Sequence, residues 1–310
     1  MRLKMHSKTM LAIVAALFLS AGTRSPITFR AAAQAVAAKP AVKYGSNPAA
    51  GSTFEHDGVK LYYEVYGEGE PLLMIHGNNA SIGSFAAQIA YFRQHYKVIA
   101  MDSRDQGRSG DSQGRITYEK MADDQAALLD HLHSGPAYVL GWSDGGIEAL
   151  LLGIRHPEKV KKIASMAANL DPSENAIYPE VLNWAKTMFD NAPAAQKDAP
   201  QFKRVLKVND MLSEEPHIAP EALEAITAPT LILASDHDLI RDEHTLVIYH
   251  HIPNSQLCIF PNATHMIAYD DPARFNGTVE RFFSTPFEKR DRLKDVIRTI
   301  EKMEAETQAQ

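Results

Sequence analysis

Apolar positions follow two spacings along the chain. Short, mainly apolar runs occur at 72–75, 98–101, 138–140, 163–166 and 231–234, and runs of this length predict strands buried on both faces of a parallel sheet. Before them, Leu61, Tyr63 and Val65 alternate with Tyr62, Glu64 and Tyr66 behind an Asp57-Gly58 pair. That pair favours the positive φ angles of a two-residue turn, so a hairpin is expected. Between the runs the period is helical. Tyr118, Met121, Leu128, Leu129 and Leu132 share one face, and 147–154 is apolar nearly all round, as befits a helix packed inside the molecule. Asp271-Pro272 supplies a cap and a first-turn proline for a helix with a stripe of Phe275, Val279, Phe282 and Phe283. Alternating strands and helices predict an α/β fold with a doubly wound sheet and right-handed crossovers.

The ends differ from the middle. Arg2, Lys4 and Lys8 precede an uncharged run at 10–19, then Ser20, Ala21 and Gly22. A basic start, a short apolar stretch and small residues predict a signal peptide over 1–22, hence a periplasmic or secreted protein. The run is shorter than the roughly 20 residues a membrane span needs, so no stable insertion is expected after cleavage. Residues 23–52, rich in Ala, Pro, Gly and Ser toward their end, read as a flexible leader. The main domain is expected over 53–285. Within it, 170–226 is too long for a loop and carries helical patterns at 178–189 and 202–211, which suggests a small helical cap. Over 286–310, Leu293, Val296, Ile297, Ile300 and Met303 recur at helical spacing. This reads first as a terminal amphipathic helix lying on the body and second as a dimerisation helix, in a monomer or homodimer.

Composition narrows the chemistry. Of 310 residues, 45% are apolar and 23% charged, enough to bury a core. Net charge is −6 with no block of Lys and Arg beyond the first residues, which argues against nucleic acid as a partner. Loss of residues 1–22 removes three positive charges and no acid, leaving −9. With one cysteine, Cys258, and no CxxC or HExxH spacing, a disulfide scaffold and the common zinc sites are excluded. No metal or cofactor is called for.

Gly141-Trp142-Ser143-Asp144-Gly145-Gly146 sits between a predicted strand and a predicted helix, the setting of a nucleophile elbow. The turn puts Ser143 at a helix N-terminus, where N–H groups and a positive dipole end face the reacting carbonyl. A serine hydroxyl needs a base, and the base an orienting acid. Candidates stand at the ends of two later strands: Ser235-Asp236-His237-Asp238 and Asn262-Ala263-Thr264-His265. Asp171, after the preceding strand, is a further candidate acid. Capping of turns is the plainer role for each Asp.

Over about 54–284 these motifs resemble the α/β-hydrolase superfamily. The resemblance implies an eight-stranded, mostly parallel sheet with a small helical cap, and a Ser-Asp-His order of catalytic residues. It assigns Ser143 as nucleophile, Asp238 as acid and His265 as base. Two departures bear on this: Ala234-Ser235 stands where a small residue and Gly are usual, and Thr264 replaces the Gly before His265. The resemblance also makes His76-Gly77-Asn78-Asn79 the oxyanion loop, with the N–H groups of Asn78 and Asp144 as donors, and His76 a loop brace. Asp102-Ser103-Arg104-Asp105-Gln106-Gly107-Arg108-Ser109 matches a supporting loop of the family, with Asp105 where Gly is usual. The elbow is similar to that of valacyclovir hydrolase, which implies a second role for Asp144, attraction of a substrate amine; helix-dipole complementarity is the simpler role. Trp142 and the cap residues Trp184, Met188, Phe189 and Phe202 are expected around an apolar acyl pocket.

The expected activity is hydrolysis of small to medium carboxylic esters through an acyl-enzyme. Amidase, lactonase, C–C bond hydrolase and cofactor-free perhydrolase chemistry would use the same residues, and a non-catalytic ligand receptor is the alternative of another class.

Overall fold

A computed structural model describes residues 43–308. The expected signal peptide at 1–22 and the leader as far as residue 42 lie outside the described residues. Eight strands form one sheet: β1 (Gly51–His56), β2 (Val59–Tyr66), β3 (Glu70–Ile75), β4 (Tyr96–Met101), β5 (Ala137–Trp142), β6 (Val160–Met166), β7 (Thr230–His237) and β8 (Ser255–Thr264). Their order is β1-β2-β4-β3-β5-β6-β7-β8, with the β1–β2 and β2–β4 pairings antiparallel and the remaining pairings parallel. The β1–β2 turn is Asp57-Gly58, both at positive φ.

Strand periodicity decides which helix each residue meets. Leu73, Ile75, Ile99, Val139 and Ile163 pack with α2 (Tyr118–His131), α3 (Asp144–Arg155) and α7 (Asp242–His251). Their neighbours Leu72, Met74, Val98, Leu140 and Ala164 pack on the other face with α1 (Ala86–Phe92) and α9 (Pro272–Ser284). Successive side chains of a strand point to opposite faces, so an apolar run fills two cores at once. Asp271 caps α9 by accepting from the Arg274 N–H, as its sequence predicts.

Between β6 and β7 the chain forms α4 (Pro179–Asp190), α5 (Ala194–Lys197) and α6 (Pro200–Glu214). The loop after β4 fastens α6. Asp105 takes φ 60°, and its carboxylate accepts from Lys207 Nζ at 2.9 Å and from Ser112 N at 3.1 Å. Arg204 donates to the Asp105 carbonyl at 2.6 Å and the Gln106 carbonyl at 3.2 Å. The aspartate that replaces glycine thus keeps the turn and adds a ligand for the cap. Its neighbour Arg104 is buried: Nε and Nη2 each lie 2.7 Å from Asp124, whose carboxylate also meets His56 Nδ1 at 2.8 Å. Arg108 lies over the Tyr62 ring, 4.8 Å from its centroid. Since Arg104→Met would leave Asp124 buried without its cation, a loss of about 3–5 kcal/mol is expected in chemical denaturation.

Two expectations about the ends change. The leader boundary at 52 is too late, because Gly45 N and Asn47 N donate to Glu64 at 2.7 and 2.8 Å and β1 begins at Gly51. Glu64 is fully buried and also accepts from the hydroxyls of Tyr62 and Tyr66. At the other end, a helix α10 (Arg292–Gln308) forms, but Leu293, Val296, Ile297, Ile300 and Met303 are all at least 43% exposed. Its apolar stripe does not lie on the body. Among the described residues no helix is long and apolar enough to cross a membrane.

Candidate active site

β5 ends at Trp142 and α3 begins at Asp144, so the chain must reverse within Ser143. It does so at φ 58° and ψ −120°, a region L residues seldom occupy and one characteristic of strained functional turns. Glycine permits this close passage. A Cβ on Gly141 would lie 1.9 Å from the Gly145 carbonyl oxygen, and one on Gly145 would lie 1.9 Å from that of Ile75.

Asp238 and His265 follow the C-terminal ends of β7 and β8, neighbouring parallel strands in register at His237 and Thr264. That register carries two residues 27 positions apart to the same rim. His265 Nδ1 lies 2.6 Å from Asp238 Oδ1, a short charge-assisted contact that directs the opposite ring nitrogen away from the acid. The Asp238 side chain is fully buried; it also accepts from the N–H groups of Leu239 at 2.7 Å and Ser235 at 3.2 Å. The backbone of His265 is held from the elbow itself: Trp142 Nε1 donates to its carbonyl at 3.0 Å, and the two rings are 5.9 Å apart. Ser143 Oγ has no hydrogen bond to His265 among the described residues; such bonds commonly tighten only when substrate is bound.

The competing acids have other partners. Asp236 accepts from Asn262 N at 2.7 Å, Ala263 N at 3.0 Å and His237 Nδ1 at 2.9 Å. Its bond to His237 and those backbone donors hold its carboxyl far below the usual range. It clamps the turn that leads to His265. Asp171 accepts from Ser173 N and closes a local turn. His76 is buried, with Nδ1 2.8 Å from the Gly77 carbonyl and Nε2 accepting from Ser103 N at 3.0 Å, so it braces the loop; burial lowers its pKa.

The N–H groups of Asn78 and Asp144 both flank the elbow, and neither donates to another group among the described residues. Gly77 brings the loop close: a Cβ there would lie 3.1 Å from Ser143 Cβ. The Asp144 side chain turns inward, 1% exposed, and Asn78 Nδ2 donates to its Oδ2 at 2.9 Å. Neither the spacing nor the composition signals this bond, because its partners are 66 residues apart. Burial pushes the Asp144 carboxyl up to about 6, partly offset by the Asn78 bond and by His265 nearby. The folded state therefore holds this proton more tightly than the unfolded chain does. The associated stability is full below about pH 4 and lost as pH rises through about 6, on the order of 3 kcal/mol. Thermal melts of Asp144→Asn should lack that decline relative to the parent between pH 4 and 7.

Of the expected pocket residues, Trp142 is buried under the elbow, whereas Trp184 is 47% exposed. Phe189 is half-buried and packs edge-on against Phe202, centroids 6.2 Å apart.

Comparison with known proteins agrees with the fold. A family model described as the α/β hydrolase fold matches residues 70–215. Serine hydrolase BPHL of Mus musculus is 26% identical over 73% of this chain and 84% of its own length. The 3-oxoadipate enol-lactonase 2 of Acinetobacter baylyi is 27% identical over 72% of this chain and 92% of its own. Among solved structures, Est816, described as an N-acyl homoserine lactone degrading enzyme, aligns with a TM-score of 0.65 at 26% identity, over 74% of this chain and all of Est816.

Proposed function

We propose that this chain, which has the α/β-hydrolase fold and is similar to hydrolases, is a serine hydrolase of small to medium carboxylic esters. The observation that carries the reading is the 2.6 Å Asp238–His265 pair beside a strained serine turn. Ser143 Oγ attacks the ester carbonyl while His265 Nε2 takes its proton. Asp238 holds Nδ1–H and stabilises the imidazolium. Negative charge on the tetrahedral oxygen is received by the N–H groups of Asn78 and Asp144; one such donor lowers the barrier by about 3 kcal/mol. The C–O bond then breaks, with the His265 proton passing to the leaving alcohol. Water, deprotonated by His265, cleaves the acyl-enzyme and frees Ser143 and the acid. Nothing in this sequence of steps calls for a metal or cofactor. The site of action would be the periplasm or the outside of the cell, once residues 1–22 are removed.

A lactone is an ester closed on itself, and the names of two of the compared proteins describe lactone chemistry, so lactones are the second substrate class to assay. The test is turnover of p-nitrophenyl acetate and butyrate beside a five-membered lactone, together with labelling by a fluorophosphonate. Ser143-dependent release from one of these supports the proposal. A background rate on every substrate, with no labelling of Ser143, overturns it and leaves the ligand-receptor alternative.

A further inference from the structure

Resting on the esterase reading, we infer that the Asp144 carboxyl is a positioning residue: through the Asn78 side chain it sets the direction of the Asn78 N–H that faces the oxyanion. The Asn78 loop has no regular structure of its own. It runs from Gly77 through Asn79 at φ 51°, closed by one bond from Ala80 N to the Gly77 carbonyl at 3.2 Å. Its orientation therefore depends on what its side chains grip. Asn78 Nδ2 donates to Asp144 Oδ2 at 2.9 Å and reaches the Val208 carbonyl at 3.4 Å. Asn79 Nδ2 donates to Asn78 Oδ1 at 2.8 Å and to the Val205 carbonyl at 3.2 Å. Both carbonyls belong to α6, which Lys207 and Arg204 pin to the loop around Asp105. Asp144 opens α3, so its own N–H and its carboxylate move as one rigid unit. One residue thus provides the first donor and holds the second in line with it.

The elbow sequence leaves two roles open for Asp144. At 1% exposure, with Asn78 laid across Oδ2, the carboxylate is closed to solvent. Its Oδ1 is buried with no hydrogen-bond partner among the described residues. A substrate ammonium would have to bury a second charge to reach it.

The experiment uses the full chain with Asn78→Ala, Asp144→Ala, Asp144→Asn and the double alanine variant, beside Ser143→Ala. Values of kcat and KM are measured on p-nitrophenyl butyrate, and rates on an α-amino ester and its des-amino analogue. Turnover that disappears in Ser143→Ala establishes the esterase reading; without it, both that reading and this inference fall. Given turnover, Asn78→Ala keeps its backbone N–H yet is expected to lose about 10- to 100-fold in kcat, with KM within about threefold. Asp144→Ala should lose as much, and the double variant little more, because the two act as one unit. Asp144→Asn retains an oxygen that can accept the Asn78 bond and should lose less than about fivefold, with the amino to des-amino rate ratio unchanged. Parent-like kcat in Asn78→Ala, or losses that multiply in the double variant, overturns the inference. So does an Asp144→Asn defect confined to the amino ester. Should Asp144→Ala not fold, the isosteric Asp144→Asn and the partly exposed Asn78→Ala carry the test.

Discussion

Ser143→Ala is expected to lower kcat on a short p-nitrophenyl ester by about 10⁴-fold or more, leaving only what the oxyanion donors and binding supply. The loss follows from position as much as chemistry. At φ 58° the turn presents one side chain at the helix N-terminus, and no second hydroxyl is found between Trp142 and Gly146 to replace it. Removal of Oγ should also relieve little strain, since the backbone angle is imposed by the passage of Gly141 against Gly145. The melting temperature should therefore stay within a few degrees of the parent while activity vanishes. A steady-state assay with a matched thermal melt checks both halves. Retained turnover would reassign the nucleophile.

The next largest effect is expected at Asp238. Asp238→Asn should reduce kcat by about 10³- to 10⁴-fold, because an amide in that place can present N–H to His265 Nδ1 and select the wrong tautomer. The same change at Asp236 or Asp171 should cost less than about tenfold, for those carboxylates hold turns rather than the imidazole. Asp236→Asn should show instead in acid and thermal stability. Its carboxyl lies far below the usual range in the folded state, so its stabilisation is present above about pH 4 and lost as pH falls further. The three kcat values, taken with a melt at pH 7, discriminate among the three aspartates. Equal losses at Asp236 and Asp238 would mean that the acid is not Asp238.

Much of the architecture was legible from local pattern. Five short, mainly apolar runs became β3 to β7, and the alternation behind Asp57-Gly58 became the β1–β2 hairpin. The elbow was legible too, since small residues on both sides of Ser143 are what a tight strand-to-helix turn requires. These features depend on neighbours in sequence, where period and turn chemistry act directly. The choice among Asp171, Asp236 and Asp238 was of another kind. All three follow strands and all three suit turns; only the pairing of β7 with β8 brings one carboxylate to 2.6 Å from His265.

Glu64 makes the same point at the edge of the sheet. The alternation of its strand does not say what it meets; Tyr62, Tyr66 and the chain at Gly45 and Asn47 enclose it. The exposed stripe of α10 is the converse, a regular apolar period with no local rule to say what it meets. What the sequence by itself determined was the succession of elements, the two faces of each strand and the residue at the tip of the elbow. The tertiary structure brought to His265 the acid that the family resemblance assigns, and it alone decided which carboxyl is sealed beneath Asn78 and how Asp105 fastens α6. The first group follows from dihedral preference and burial period, which act over a few residues. The second consists of contacts between side chains 27 to 102 residues apart, and these exist only after the sheet has set its strand order.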